Sequence, residues 1–314
     1  MNHLRQIFLT FSFTLLAVSS DLCAQTLIPF GDFEEWVTRE MKESGILGGK
    51  TRTMYNIGPE ETIIGAKPYW SDKCYWGTSN AFAQVVGVTK VNTNVFPDKS
   101  HDGSGCARLE TVIAECRALG MFDIRVLAGG SIFIGRCVEP IPNTNNPYGN
   151  FDWGMPYTKR ASALFLDYKL KLSESGIIHE SDGLKLSTHQ GKDPAEIVVL
   201  LQSRKEDEKG NIVSSRVAAA RVLLEESTNG WVIKKRVPLI YGSDQYNDPL
   251  LCNWQQETYA RNSKGKIVKI KENISSTGQE PITHLVLKIT SSSNGVWAGT
   301  VGNTFWIDNV AIED

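Results

Sequence analysis

Beyond residue 25 no stretch approaches the roughly 18 consecutive apolar residues of a membrane-spanning helix. Neither sign of charge dominates: 33 lysines and arginines face 35 acidic residues, a formal net charge of −2. That balance excludes the basic footprint of a nucleic-acid binder. Cysteine is sparse. Past Cys23 the chain has Cys74, Cys106, Cys116, Cys137 and Cys252, the nearest two ten apart, so no CxxC redox or zinc pattern exists. Their odd number means at least one free thiol or an intermolecular bridge, and buried free cysteine is the expected state for most, with any pairing open. There is no GxSxG nucleophile elbow, and no HExxH, histidine cluster or EF-hand loop. Gly48-Gly49 and Gly129-Gly130 have no helix after them, which makes them turns rather than phosphate cradles.

What is present begins with an export signal. Arg5 supplies a positive n-region, Ile7 to Val18 is a largely apolar run of 12, and Ala24 precedes the expected cleavage point at Gln25. The run is too short to span a bilayer. Lipidation at Cys23 is disfavoured by Leu22, where that processing wants a small residue. The expected organisation is a signal peptide over 1–24 and one domain over 25–314, working in the periplasm, on the outer-membrane surface or outside the cell.

The body reads as β. Over 163–172 Leu164, Leu166, Tyr168, Leu170 and Leu172 face one way, with Asp167, Lys169 and Lys171 on the other. Residues 195–202 hold a continuous apolar run, the mark of a strand covered on both faces. Segments 231–241, 266–271, 282–290 and 304–312 also read as strands, with polar Gly/Asn-rich turns between them. Residues 215–226 (SRVAAARVLLEE) have helical composition, but their place between two strands makes strand the expectation. Many strands and few helical repeats predict an all-β, antiparallel β-sandwich of jelly-roll type with long loops.

The two ends carry the most information. Near the start stands Gly31-Asp32-Phe33-Glu34, near the finish Ile307-Asp308-Asn309-Val310. Simple alternation puts Asp308 on one face with Trp306, Val310 and Ile312, where an ionised carboxylate is costly unless hydrogen-bonded, paired or metal-bound. Loop amides would offset that cost, as would a hard cation such as Ca²⁺ held by Asp308, Glu34 and backbone carbonyls.

These end motifs resemble those of carbohydrate-binding jelly rolls, whose first and last strands lie side by side and often share a structural calcium. Carried over, the calcium ligands would be Glu34 and Asp308. Over its length the chain resembles the putative carbohydrate metabolism (PCMD) family of Bacteroidetes. The matching stretches are Glu43 to Gly49 (ESGILGG), Trp76 to Asn80 (WGTSN), Gly129 to Gly135 (GGSIFIG), Gly154 to Arg160 (GMPYTKR) and Gly302 to Asp308 (GNTFWID). The resemblance implies a jelly roll in a glycan context, with no settled reaction. Ala161 departs from the pattern, which leads one to expect proline there.

Sugar recognition needs flat aromatic faces and a few placed polar groups. Trp76, Trp153 and Trp297 sit in polar, turn-like surroundings, with Asn80, Asp152 and Asn294 near them in sequence. Trp76, Trp153 and Trp297 are the expected stacking residues, Asn80 and Asp152 the expected hydroxyl readers, and a glycan the expected partner. Trp231 and Trp306 are assigned to the core. A glycoside hydrolase or lyase on the same scaffold is the main alternative; it would need two carboxyl groups at a cleft, and Asp152, Asp167, Glu196 and Asp308 are the candidates. A Cys106–His101 pair is conceivable from sequence proximity, and His284 reads as structural. The third alternative is a cell-envelope structural or adhesion protein whose aromatics meet a protein partner.

Overall fold

The computed structural model describes residues 25–85, 87–118, 122–142, 146, 148–182 and 185–314. The expected signal peptide, 1–24, lies outside the described residues. Two sheets face each other. The first holds six antiparallel strands in the order Val232–Pro238, Ala163–Lys171, Thr304–Glu313, Gly105–Glu110, Val95–Lys99, with Gln25–Leu27 pairing the end of Thr304–Glu313. First and last strands therefore lie side by side, as the end motifs suggested.

The second sheet has nine strands. Its main path runs Phe151–Trp153, Ser131–Cys137, His284–Thr290, Ala195–Glu206, Ile212–Leu224, Ile240–Tyr241. Trp76–Thr78, Met155–Pro156 and Lys271–Ile274 join at its margins. Among the described residues the only helical elements are the short turns Gly45–Leu47 and Gly242–Asn247, and no helix is long and apolar enough to cross a membrane. The chain is an antiparallel β-sandwich with long excursions.

The core explains the strand pattern. Leu164, Leu166, Tyr168 and Leu170 project from the first sheet onto Ile197, Val199 and Leu201 of the second. The intervening Val198 and Leu200 project the opposite way, into a second apolar cluster with Phe133, Trp153, Leu251 and Val286. That two-sided burial is why 195–202 is apolar without interruption. The helix-like segment 215–226 is strand, Ile212–Leu224. Ala218 and Ala220 face the main core and Ala219 the second cluster, so small side chains fill narrow space on both faces, and pairing to Ala195–Glu206 overrides helical propensity.

One local reading needs correction. Asp308 does not share a face with Val310 and Ile312. Asn309 adopts a left-handed φ of 51°, and the register to Ala163–Lys171 shifts there. This bulge reverses the alternation: Phe305, Ile307, Val310 and Ile312 all enter the core, while Asp308 opposes Asp167 on the outer face. Trp231 and Trp306 are not core residues either. Both are half-buried on that outer face, with the Lys169 ammonium 4.1 Å from the Trp306 ring centre and 5.8 Å from that of Trp231. The five described cysteines are free thiols, Cys74 and Cys106 fully buried.

Candidate functional site

On the outer face of the second sheet two hairpins stand over the strands. Ala81–Val85 pairs with Val88–Asn92, and Val112–Ala118 with Phe122–Ala128. Alternation gives each hairpin one face toward the other. Ala81, Ala83 and Val85 line the space between them, while Phe82 packs the opposite way onto Met41, Met54 and Val91. In the second hairpin Ala114 lies opposite Val126 and Cys116 opposite Ile124, and all four line the same space. The result is a cleft of about 620 Å³, within the range of small-molecule sites.

Its aromatic lining comes from Phe133, Tyr148, Phe151, Trp153 and Trp297, its polar lining from Ser131, Lys288, Thr290, Ser292 and Ser293 among others. Trp153 is 3% exposed and wedged against Phe133, Phe151 and Tyr148, with ring centres 4.8–6.2 Å away. Among the described residues its buried Nε1–H has no hydrogen-bond partner. Trp297 is half-buried and holds a left-handed φ of 62°, a conformation a bulky residue adopts only at a cost.

A buried carboxylate braces the Trp297 loop. Asp193 accepts hydrogen bonds from the Ser292 hydroxyl, the Ser293 and Thr300 amides, and the Asn294 and Asn303 side chains, at 2.6–3.1 Å. The loop is thereby clamped on both sides of Trp297. At the floor, the Lys288 ammonium lies 2.7 Å from Glu196, whose other oxygen accepts from Arg221 at 2.8 Å.

Residues 32–313 match the family described as "Putative carbohydrate metabolism domain". The chain belongs to this family. Among solved structures it is similar to a putative glycoside hydrolase from Bacteroides thetaiotaomicron, at 19% identity and a TM-score of 0.41, covering 69% of this chain and 55% of that one. A putative glycoside hydrolase from Bacteroides vulgatus shares 15% identity over 91% of this chain and 94% of its own, TM-score 0.44. A carbohydrate-binding module specific for non-crystalline cellulose shares 9% over 76% and 88%, TM-score 0.27. The chain thus spans about half the length of the first of these structures. No curated protein matches it.

Within this carbohydrate-related domain the residues singled out from sequence part company. Trp153 and Trp297 meet at the cleft. Trp76 does not: it is 4% exposed, stacks edge-on against Phe33 at 5.2 Å and donates Nε1–H to the Pro29 carbonyl at 2.9 Å. Asn80 is buried and consumed by the backbone, donating to the Tyr55 and Val95 carbonyls and accepting from the Asn94 and Val95 amides, all at 2.8 Å. Asp152 accepts from the Arg261 amide at 3.0 Å and is not on the cleft wall. Asn294 serves Asp193 rather than a ligand.

Glu34 and Asp308 each have other partners. Glu34 accepts from the Gly105 amide at 2.8 Å, and the donor atoms that gather around Asp308 belong instead to His101 and Asp167. Burial, with the charges of Asp167 and Asp102 nearby, pushes the Asp308 carboxyl above its ordinary range, against hydrogen bonds from Ser100 and the Asn309 amide that lower it. Cys106 and His101 form no catalytic pair: burial pushes the Cys106 thiol up to about 12, and the imidazole turns to Asp167 at 3.6 Å. Sequence reasoning missed Trp70, 48% exposed, whose ring lies 3.8 Å from the Arg136 guanidinium carbon and whose Nε1–H donates to Asp72 at 2.9 Å. It also missed both hairpins.

Proposed function

We propose that this is an exported glycan-binding domain whose cleft between the two hairpins holds a saccharide, with Trp297 as its stacking surface. The observation that carries the reading is the strained, braced Trp297 at the edge of an aromatic-lined cleft in a carbohydrate-related domain. A loop that holds a bulky side chain in a left-handed conformation with five hydrogen bonds to one carboxylate presents that ring in a fixed pose. Fixed aromatic surfaces bind at low ordering cost. The polar groups that could read hydroxyls are Lys288 and Ser293. Glu115 lines the cleft, and Glu196 at its floor is held by Lys288 and Arg221.

The test is a glycan array screen of residues 25–314 beside the Trp297→Gly variant. Glycine takes a positive φ without penalty, so the variant should stay within about 1 kcal/mol of wild-type stability and lose at least tenfold in affinity for any glycan that wild type retains. Undiminished retention would remove Trp297 from the site. Silence across the array, with a stoichiometric envelope protein co-purifying, would favour a structural role instead.

A further inference from the structure

We propose that His101, Asp167 and Asp308 form a binding site for a divalent transition-metal ion of the Zn²⁺ or Mn²⁺ class, on the face of the sandwich opposite the cleft. Asp167 and Asp308 are directly opposed across neighbouring strands, and the Asn309 bulge turns Asp308 outward to meet its partner. His101 comes from the turn between Val95–Lys99 and Gly105–Glu110, the neighbouring hairpin of the same sheet. One donor atom from each of the three residues lies within 4.8 Å of the other two.

The charge balance argues for a cation. Like charges directly opposed across strands are destabilising, and buried charges are ordinarily paired or metal-bound. Asp167 is 5% exposed and Asp308 1%. Among the described residues neither forms an ion pair with lysine or arginine; the histidine is the one basic group within reach. Lys169, on the same face, is spent on the rings of Trp306 and Trp231. Asp98 is engaged by Arg108 and Trp306. Asp102, on the same turn as His101, adds further negative charge.

The remaining contacts orient the carboxylates, one hydrogen bond to each oxygen, and a carboxylate oxygen has a second lone pair to offer. Asp167 accepts from the Lys234 amide at 2.5 Å and from the Asn309 side chain at 2.9 Å; Asp308 accepts from the Ser100 hydroxyl at 2.5 Å and the Asn309 amide at 2.7 Å. Such outer contacts fix the ligands of metal sites. One imidazole and two carboxylates suit a transition ion at about 2.0–2.2 Å, whereas Ca²⁺ takes six to eight oxygens. Tetrahedral ligation would bring ligand atoms to about 3.3 Å of one another, a small closure for a side chain carried on an exposed turn. The Trp231 ring packs edge-on against the His101 imidazole at 5.7 Å, and water would complete the shell.

The site is tested on untagged residues 25–314 after chelation, by calorimetric titration with Zn²⁺, Mn²⁺, Ca²⁺ and Mg²⁺ in turn and by metal content after dialysis. The expected result is one equivalent of Zn²⁺ or Mn²⁺, bound at least tenfold more tightly than Ca²⁺ or Mg²⁺. His101→Ala should weaken that binding at least tenfold while leaving the metal-free melting temperature unchanged. Because His101 is exposed, this variant keeps the test open even where Asp308→Asn fails to fold. Absence of a stoichiometric ion, preference for Ca²⁺, or undiminished Zn²⁺ and Mn²⁺ affinity in His101→Ala would each overturn the proposal.

Discussion

The two sheets share one core but have unlike outer faces. On the second sheet the outer face carries an apolar patch, Phe133, Val198, Leu200 and Val286, packed against Leu251, Trp254, Tyr259 and Ile267 from a later excursion of the chain, beside the Lys288–Glu196–Arg221 pairing. On the first sheet the outer face is polar, with Asp167, Lys169, Trp306 and Asp308 held in a lattice of hydrogen bonds and cation–ring contacts. The same alternation of strand side chains thus gives an aromatic cleft on one side and a paired-carboxylate cluster on the other. Covering elements make the difference. Under the later excursion the outward residues are largely apolar; on the first sheet the outward carboxylates Asp167 and Asp308 are buried among hydrogen-bond donors instead.

Substitution should expose that contrast most strongly on the covered face. Trp153→Ala removes a fully packed indole and is expected to cost about 3–5 kcal/mol, as large aromatic truncations in cores do, read as a drop in the denaturation midpoint. This cost makes Trp153 a poor probe of binding. Next in size is a pH effect at His284, also on the covered sheet. Burial, aided by the neighbouring Arg204 charge, lowers its pKa from 6.5 to about 4. The unfolded chain therefore takes up the proton first as pH falls, so stability present above about 6.5 is lost on the way down to about 4, of order 2 kcal/mol after allowing for partial burial. Denaturant titrations at pH 7 and pH 4.5 should show this loss, and His284→Gln should flatten it. On the open face the effect is smallest: Lys169→Ala gives up a partly exposed contact with Trp306 worth about 1 kcal/mol or less. A Lys169 cost equal to that of Trp153 would break the comparison.

Much of the sandwich was legible from residues alone. Alternation gave Ala163–Lys171, and the uninterrupted apolar run gave the doubly covered strand at 195–202, because both patterns are set by what lies above and below a strand. The site was less legible. The character of a tryptophan's sequence neighbours does not say what packs on it. Trp76, among turn residues, is sealed by Phe33 and Pro29 from more than forty positions away, while Trp70, six residues earlier, stays exposed. The cleft depends on hairpins at 81–92 and 112–128 closing over strands from much later in the chain, a long-range pairing that local pattern cannot show. The phase at Asp308 turned on a single left-handed residue, Asn309. The Asp-Asn pair was the available signal, since asparagine tolerates that conformation better than most residues.

Hydrogen–deuterium exchange of residues 25–314, with and without a glycan that the array retains, tests the central claim most directly. The account predicts slowed exchange in the hairpins 81–92 and 112–128 and in the loop 291–300, with the turn 100–104 on the opposite face unchanged. Protection confined to that turn and its face, or the same exchange everywhere in saturating glycan, would contradict it.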